Sequence, residues 1–290
     1  MHKLASTSVL ALLVVACNGG AEPVTTTTVP TTTTTAPTTT TTEPTTTTAP
    51  VYGDEVVVYV LDESGSNGFR QPPFVYPISV APLGGASELE AALETLVAIT
   101  GFDTAIPEGT AVDAVAQVGS TVEVDLSAEF ESGGGSASMF ARLAQLTFTL
   151  TRIDGVDEVV LMEDGSPVSV FSSEGIVLDG PMVRDDFEDF LPGILVDYPA
   201  AGEVVPATFD ISGVAAVFEG VFQLEVLEGN STLFAPDFVS TSQGIGYGSF
   251  TVEAVTGAAP GANLTIRVWE NSAEDGSVIS ERFVPVTVEN

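Results

Sequence analysis

The chain contains one cysteine, Cys17. No disulfide can form within it, so any fold rests on the packing of its apolar residues. The cysteine closes a short apolar run, Leu12-Leu13-Val14-Val15-Ala16-Cys17, and Met1-His2-Lys3 stands at the start. From Leu4 to Ala16 this run falls short of the roughly 20 residues that span a bilayer. A basic start, a short apolar stretch and a small residue before the cleavage point are the parts of a secretory signal.

Val14, Val15, Ala16 and Cys17 together resemble the lipobox of bacterial lipoprotein signals. The resemblance implies that residues 1–17 are a signal peptide ending at the lipidated Cys17, with acyl chains such as palmitate on the new N-terminus. Two or more chains hold a protein stably on a membrane. The expected location is the extracytoplasmic face of the cell membrane. An ordinary signal peptide with a cysteine nearby is the alternative.

His2 and Lys3 are the only histidine and lysine of the chain, and both lie in the segment that processing removes. The remaining bases are Arg70, Arg142, Arg152, Arg184, Arg267 and Arg282, set against 40 Asp and Glu. A net charge of -33 repels polyanions, which excludes nucleic acid as a partner. Without histidine there is no Ser-His-Asp or Cys-His arrangement. Without lysine there is no Schiff base or Ser-Lys dyad. A zinc site would have to be all carboxylate. Carboxylate-pair catalysis and oxygen-ligated metals are the chemistries left. No catalytic residue, metal or cofactor is expected, and the protein is expected not to be an enzyme.

Residues 18–51 are nearly all Thr, Pro and Ala, with prolines at 23, 30, 37, 44 and 50. Such a stretch has nothing to bury against its ordering entropy. At about 3.1 Å per residue in polyproline II it reaches about 100 Å. It reads as a disordered stalk, with threonines that composition alone does not show to be glycosylated.

The rest of the chain is long enough for two domains. Residues 52–184 begin with the strand Val56–Leu61 and a proline-rich loop around Pro72, Pro73 and Pro77. Ser87 and Glu90 have capping-box spacing, and Leu89, Leu93, Leu96 and Val97 repeat at helical spacing. Strands over 111–118 and 121–126 meet at Gly119-Ser120. A second helix starts near Ser136, with a stripe of Met139, Leu143, Leu146 and Leu150. The run Gly133–Gly135 before it lacks the lysine of a phosphate loop and reads as a flexible loop. Strands 156–162 and 167–171 then join through Asp164-Gly165. This order predicts a small α+β domain.

Residues 185–193, in the charge-dense stretch that starts at Arg184, read as a linker, with a calcium site as the alternative. From 194 to 290 the pattern is strand only: 194–198, 208–214, 221–228, 232–240, 247–255, 263–270 and 278–288. Seven short strands fit an immunoglobulin-like sandwich. Phe222, Leu224, Val226, Phe250, Val252 and Ala254 are expected to face inward.

Val57-Val58-Tyr59-Val60, the helix Glu90–Leu96, Ala105-Ile106-Pro107-Glu108-Gly109-Thr110, Val122–Ser127, Leu143–Leu150 and Val156–Val159 together resemble the GerMN module of sporulation and germination proteins. Pro199–Gly202, Ile211–Ala215, Phe218-Glu219, Gly248-Ser249-Phe250 and Glu274–Ser277 resemble the immunoglobulin-like Gmad2 module that follows it. The resemblance implies an α+β GerMN-like domain followed by an all-β immunoglobulin-like sandwich, in an actinobacterial-type envelope protein. It implies non-catalytic interaction modules, similar to the ring-building motifs that assemble spore secretion machinery, and no catalytic residues.

The function expected is therefore that of a membrane-anchored lipoprotein that docks an envelope protein partner or peptidoglycan. A carboxylate-pair glycan hydrolase and a purely structural stalked spacer are the alternatives. The candidate surface is Arg267 with Trp269. In the strand Leu264–Glu270 they share the face opposite Leu264, Ile266 and Val268, where an exposed tryptophan is a binding anchor. Packing of Trp269 against its sheet neighbours is the other reading of that position.

Overall fold

The computed structural model describes residues 54–62, 73–163 and 165–290. Val14, Val15, Ala16 and Cys17, the stretch 18–51, Arg70 and Asp164 lie outside the described residues.

Strand β1 (Val56–Asp62) pairs antiparallel with β2 (Phe74–Val80). The proline-rich loop expected around Pro72, Pro73 and Pro77 is corrected at Pro77, which lies inside β2, opposite Tyr59; Pro73 precedes the strand and Pro72 lies outside the described residues. The Pro77 carbonyl accepts from Ala201 N (3.1 Å), so its backbone polar side points away from β1. An N–H missing from that side breaks no β1–β2 bond.

Helix α1 (Glu88–Ala98) starts where its cap predicts. Glu90 N donates to Ser87 Oγ (3.2 Å), while Glu90 Oε2 reaches back to Ala86 N (2.7 Å). Strands β3 (Val112–Val118) and β4 (Thr121–Leu126) form the expected hairpin. Helix α2 (Ser136–Leu150) connects β4 to β5 (Glu158–Glu163), which lies parallel to it.

Helix α2 departs from the single apolar stripe predicted for it. Every residue from Ala141 to Leu150 is buried, including Arg142, Gln145, Thr147 and Thr149. Two of these polar side chains serve the edge of β1 that no strand covers. Tyr59 N donates to Thr149 Oγ1 (2.9 Å) and Gln145 Nε2 donates to Tyr59 O (2.9 Å). A buried strand edge needs such partners, because an unpaired peptide group inside the core is costly. Arg142 donates to the carbonyls of Ala105, Phe130 and Gly133 at 2.7 to 2.8 Å. The glycine run expected to be a flexible loop is thus a pinned turn, with Gly133 and Gly134 at positive φ.

The strand predicted over 167–171 is broken. β6 (Ser166–Pro167) pairs with β5, then β7 (Val170–Phe171) pairs with β8 (Ile176–Val177). The break lets Phe171 bury against Phe130, with ring centroids 5.5 Å apart. The predicted linker is also corrected in character. Arg184–Phe190 forms a 3-10 helix kinked at Phe187, whose side chain is buried in the first core.

The second half is a two-sheet sandwich. One sheet has the order β15 (Gly248–Val255), β11 (Thr208–Ala215), β9 (Ile194–Tyr198). The other runs β10 (Val204–Val205), β17 (Val278–Val288), β16 (Asn263–Asn271), β12 (Val221–Glu228), β13 (Ser231–Phe234), with β14 (Val239–Ser240) also on β12. The strand predicted over 232–240 splits into β13 and β14 around Pro236, and β10 is an addition. Phe222, Leu224, Val226, Phe250 and Ala254 fill the core as expected, and Val252 is half-buried against it. Phe222 and Phe250 meet edge to face at 4.9 Å.

Candidate functional site

Both modules fall within one compact unit, and three of the arginines stand where they meet. Arg184 is the centre of this junction. Its Nη1 donates to Asp197 Oδ2 (2.8 Å) on β9, Nε to Thr151 Oγ1 (2.8 Å) and Nη2 to Phe148 O (3.2 Å). The guanidinium also stacks over the rings of Phe148 (4.9 Å) and Tyr59 (5.4 Å). A planar fork with five donors suits such a site, where lysine's point charge would satisfy one partner at a time. Burial, with the charge of Glu203 behind it, pushes the Asp197 carboxyl up to about 7. Burial, then the charge of Arg152, lowers Arg184 to about 10.

Arg282 and Arg152 repeat the arrangement. Arg282 Nη1 donates to Asp62 Oδ2 (2.6 Å) and stacks over Tyr76 at 5.0 Å. Arg152 lies 3.8 Å from Glu203 and 5.5 Å from the Tyr198 ring centroid. Backbone bonds reinforce the side chains. Ser79 N donates to Ala201 O (2.8 Å), and the Tyr247 hydroxyl reaches the carbonyls of Leu191 and Pro192 at 2.8 and 2.9 Å. A cleft of about 440 Å³ opens beside Arg184 and Asp197, with Glu188, Ser212, Gln243 and Thr251 on its walls.

Arg267 and Trp269 do come together on the outer face of β16. Arg267 covers the indole at 4.2 Å and bonds Glu225 (2.8 Å) and Glu281 (2.8 Å) on the neighbouring strands. Trp269 is half-buried beneath that guanidinium. The hydrogen bonds it donates to Glu225 and then Glu281 hold Arg267 above its usual range. The geometry is that of a cross-strand ladder packed against its sheet.

The hydrolase alternative requires a carboxyl raised in an apolar cleft beside a second carboxylate. Burial, then the charge of Glu163, raises Glu131. The concavity it lines holds only about 230 Å³, below the 300 Å³ or more of ordinary ligand sites. Among the described residues no group of three or more His, Cys, Asp or Glu is placed to hold a metal ion.

The junction is not legible in the sequence. Its signals were present as arginines in an acidic chain, but local sequence does not mark the partner, which for Arg184 lies only 13 residues on, at Asp197. Asp62 and Arg282 are separated by 220 residues.

Residues 57–169 match the Germane family model, described as sporulation and spore germination, and residues 193–277 match Gmad2, the immunoglobulin-like domain of bacterial spore germination. Among solved structures, the chain is similar to the first GerMN domain of the sporulation protein GerM from Bacillus subtilis. That match has 21% identity and a TM-score of 0.38, and covers 46% of this chain and 98% of that one. It is also similar to the tandem GerMN domains of the same protein, at 18% identity and a TM-score of 0.40, over 81% of this chain and 60% of that one. No curated protein sequence matches this chain.

Proposed function

We propose that this chain, which carries a Germane domain followed by a Gmad2 domain, is a membrane-anchored extracytoplasmic lipoprotein that docks and helps assemble envelope protein complexes. The observation that carries the reading is the arginine junction. Arg184 and Arg282 tie the two modules by charged bonds of 2.8 and 2.6 Å. Modules held in this way present fixed surfaces to a partner, and preorganised surfaces lower the ordering cost of docking. The anchor rests on the lipobox-like Val14–Cys17, and the stretch 18–51 supplies the reach.

The test is a crosslinking pull-down from native membranes with the intact chain, against a Cys17→Ala form and a form ending at residue 51. Capture of one defined envelope complex by the intact chain alone supports docking from an anchored position. Capture by Cys17→Ala at full yield removes the anchor from the role. Recovery of peptidoglycan fragments in place of protein replaces the assembly reading with wall binding. Recovery of neither overturns both.

A further inference from the structure

Resting on the docking role proposed above, we infer that the free edge of β3 receives an extended, basic segment of a partner protein, which adds as a fifth strand to the β3-β4-β5-β6 sheet. β3 ends that sheet, and among the described residues no hydrogen bond closes its outer edge. An edge strand with unpaired N–H and C=O groups is a template for another chain.

Three other sheet ends are better protected. β6 is two residues long and ends in Pro167, β13 is four residues long, and Ser242 already bonds the start of β15 through Ser249. β3 has seven residues, Val-Asp-Ala-Val-Ala-Gln-Val, without proline or lysine. Val112 and Val115 pack against the core, while Ala114, Ala116 and Val118 are exposed, Val118 by 61%.

The strand registers identify the face beside this edge. Ala114 aligns with Asp125 and Met162, Ala116 with Glu123 and Val160, and Val118 with Thr121 and Glu158. The opposite face carries the buried Val122, Val124, Val159 and Leu161. The open face therefore offers small and apolar side chains interleaved with carboxylates. No described arginine is aligned with it: Arg142, Arg152, Arg184, Arg267 and Arg282 have their partners elsewhere.

Charge selects the occupant. A second copy would bring another net charge of -33, and Asp113 on β3 would meet acidic neighbours again. A partner strand alternating apolar residues with Lys or Arg pairs with the backbone edge, and its long basic side chains reach over the small Ala114 and Ala116 toward Glu123 and Asp125, two strand spacings or about 10 Å away.

The experiment is hydrogen exchange on the full chain, with a synthetic peptide of alternating Val and Lys and a Val/Glu peptide as control. The Val/Lys peptide is expected to slow exchange across 112–118 by about tenfold or more, and the Val/Glu peptide to leave it unchanged. The double substitution Ala116→Lys with Glu123→Lys, at an exposed and a half-buried position and checked for fold by circular dichroism, is expected to abolish that protection. Binding of the basic peptide without protection at 112–118 is diffuse attraction to an acidic surface and overturns the inference. Protection that appears without peptide and rises with protein concentration assigns the edge to a second copy and overturns it as well. If the intact chain captures its envelope complex and the double substitution leaves that capture intact, the edge assignment fails while the docking role stands.

Discussion

Arg184 donates to Asp197 across 2.8 Å, from the 3-10 helix that ends one module to the first strand of the next. The same guanidinium bonds Thr151 and the Phe148 carbonyl, so one side chain ties α2, the connecting segment and β9. Arg184→Met keeps much of the volume and removes every charged contact. Removing one partner of a buried pair strands the other, and with about a quarter of each side chain exposed the expected loss is about 2 to 3 kcal/mol. Trp269 is the only tryptophan and lies in the second module. Urea unfolding followed by Trp269 fluorescence and by far-UV circular dichroism is expected to give coincident transitions in the parent and separated ones in Arg184→Met. Coincident curves in the variant would show that the modules are not coupled through this residue.

Asp197 also sets a pH dependence. Burial, and then the charge of Glu203, outweigh the attraction of the Arg184 guanidinium 2.8 Å away and hold its carboxyl up at about 7, above the unfolded value near 3.9. Below the unfolded value both states are protonated and the group contributes nothing. Between the two values the folded state binds more protons, so stability falls as pH rises through this window and the loss is complete above about 7. Solvent access to part of the side chain reduces the effect to about 1 to 2 kcal/mol between pH 5 and pH 8. Asp197→Asn cannot titrate and should flatten that part of the slope. The check is the urea midpoint at both pH values for parent and variant, and an unchanged slope would assign the pH dependence to other carboxylates.

Periodicity made the architecture legible, because burial of one face leaves a pattern in neighbouring residues. Ser87, the Gly119-Ser120 turn and the alternation of Val122, Val124 and Leu126 each mark an element within a few residues. Pro77 was misread, because local sequence does not say which edge of a strand lacks a neighbour. The polar residues of α2 were hidden for a related reason. Gln145 and Thr149 look like the solvent side of a helix until β1 is placed against them. The arginine junction was out of reach, since sequence reveals a charge but not its partner, whether that lies 13 residues away, as for Arg184, or 220, as for Arg282.

Gln145 gives the sharpest test of that hidden network. Its Oε1 accepts from Ala105 N (2.9 Å) and its Nε2 donates to Tyr59 O (2.9 Å), with the side chain fully buried. Gln145→Leu adds apolar volume but strands a backbone donor and a backbone acceptor. At about 1 to 3 kcal/mol for each unsatisfied group, the expected net loss is about 2 to 4 kcal/mol. Chemical denaturation measures it. A neutral or stabilising outcome would mean that β1 does not depend on α2 for its edge.

Arg267 is expected to matter little for stability and much for the surroundings of Trp269. Its ion pairs with Glu225 and Glu281 are partly exposed, and such pairs contribute about 1 kcal/mol or less. Arg267→Gln removes the cation from its position 4.2 Å from the indole centroid. Because the chain has a single tryptophan, its emission reports this spot alone. A red shift and stronger acrylamide quenching are expected, with the unfolding midpoint nearly unchanged. Unaltered emission would place the cation away from the ring in solution.

Gly213 tests how closely β9 and β11 approach at the junction. A Cβ built there would stand 2.0 Å from the Leu195 carbonyl oxygen and 3.0 Å from Asp197 N. The register of the two strands shifts between Ser212 and Gly213, so the contact sits at an irregularity of the ladder. Gly213 is not at positive φ, and the objection to a side chain is steric. The obstacle is backbone, which has no rotamer to swing away, so Gly213→Ala is expected to cost about 2 to 3 kcal/mol. Gly119→Ala is the control: its φ is +68° with nothing within 4 Å, and the expected cost is the conformational one of about 1 kcal/mol. Thermal unfolding of the two variants should rank Gly213→Ala well below Gly119→Ala. The Gly213 variant should also change the pH dependence of stability set by Asp197, because moving the Leu195–Asp197 backbone opens the carboxyl to water. A Gly213→Ala protein as stable as Gly119→Ala, with the parent pH slope, would mean that the strands separate there without loss and that the junction does not rely on their close contact.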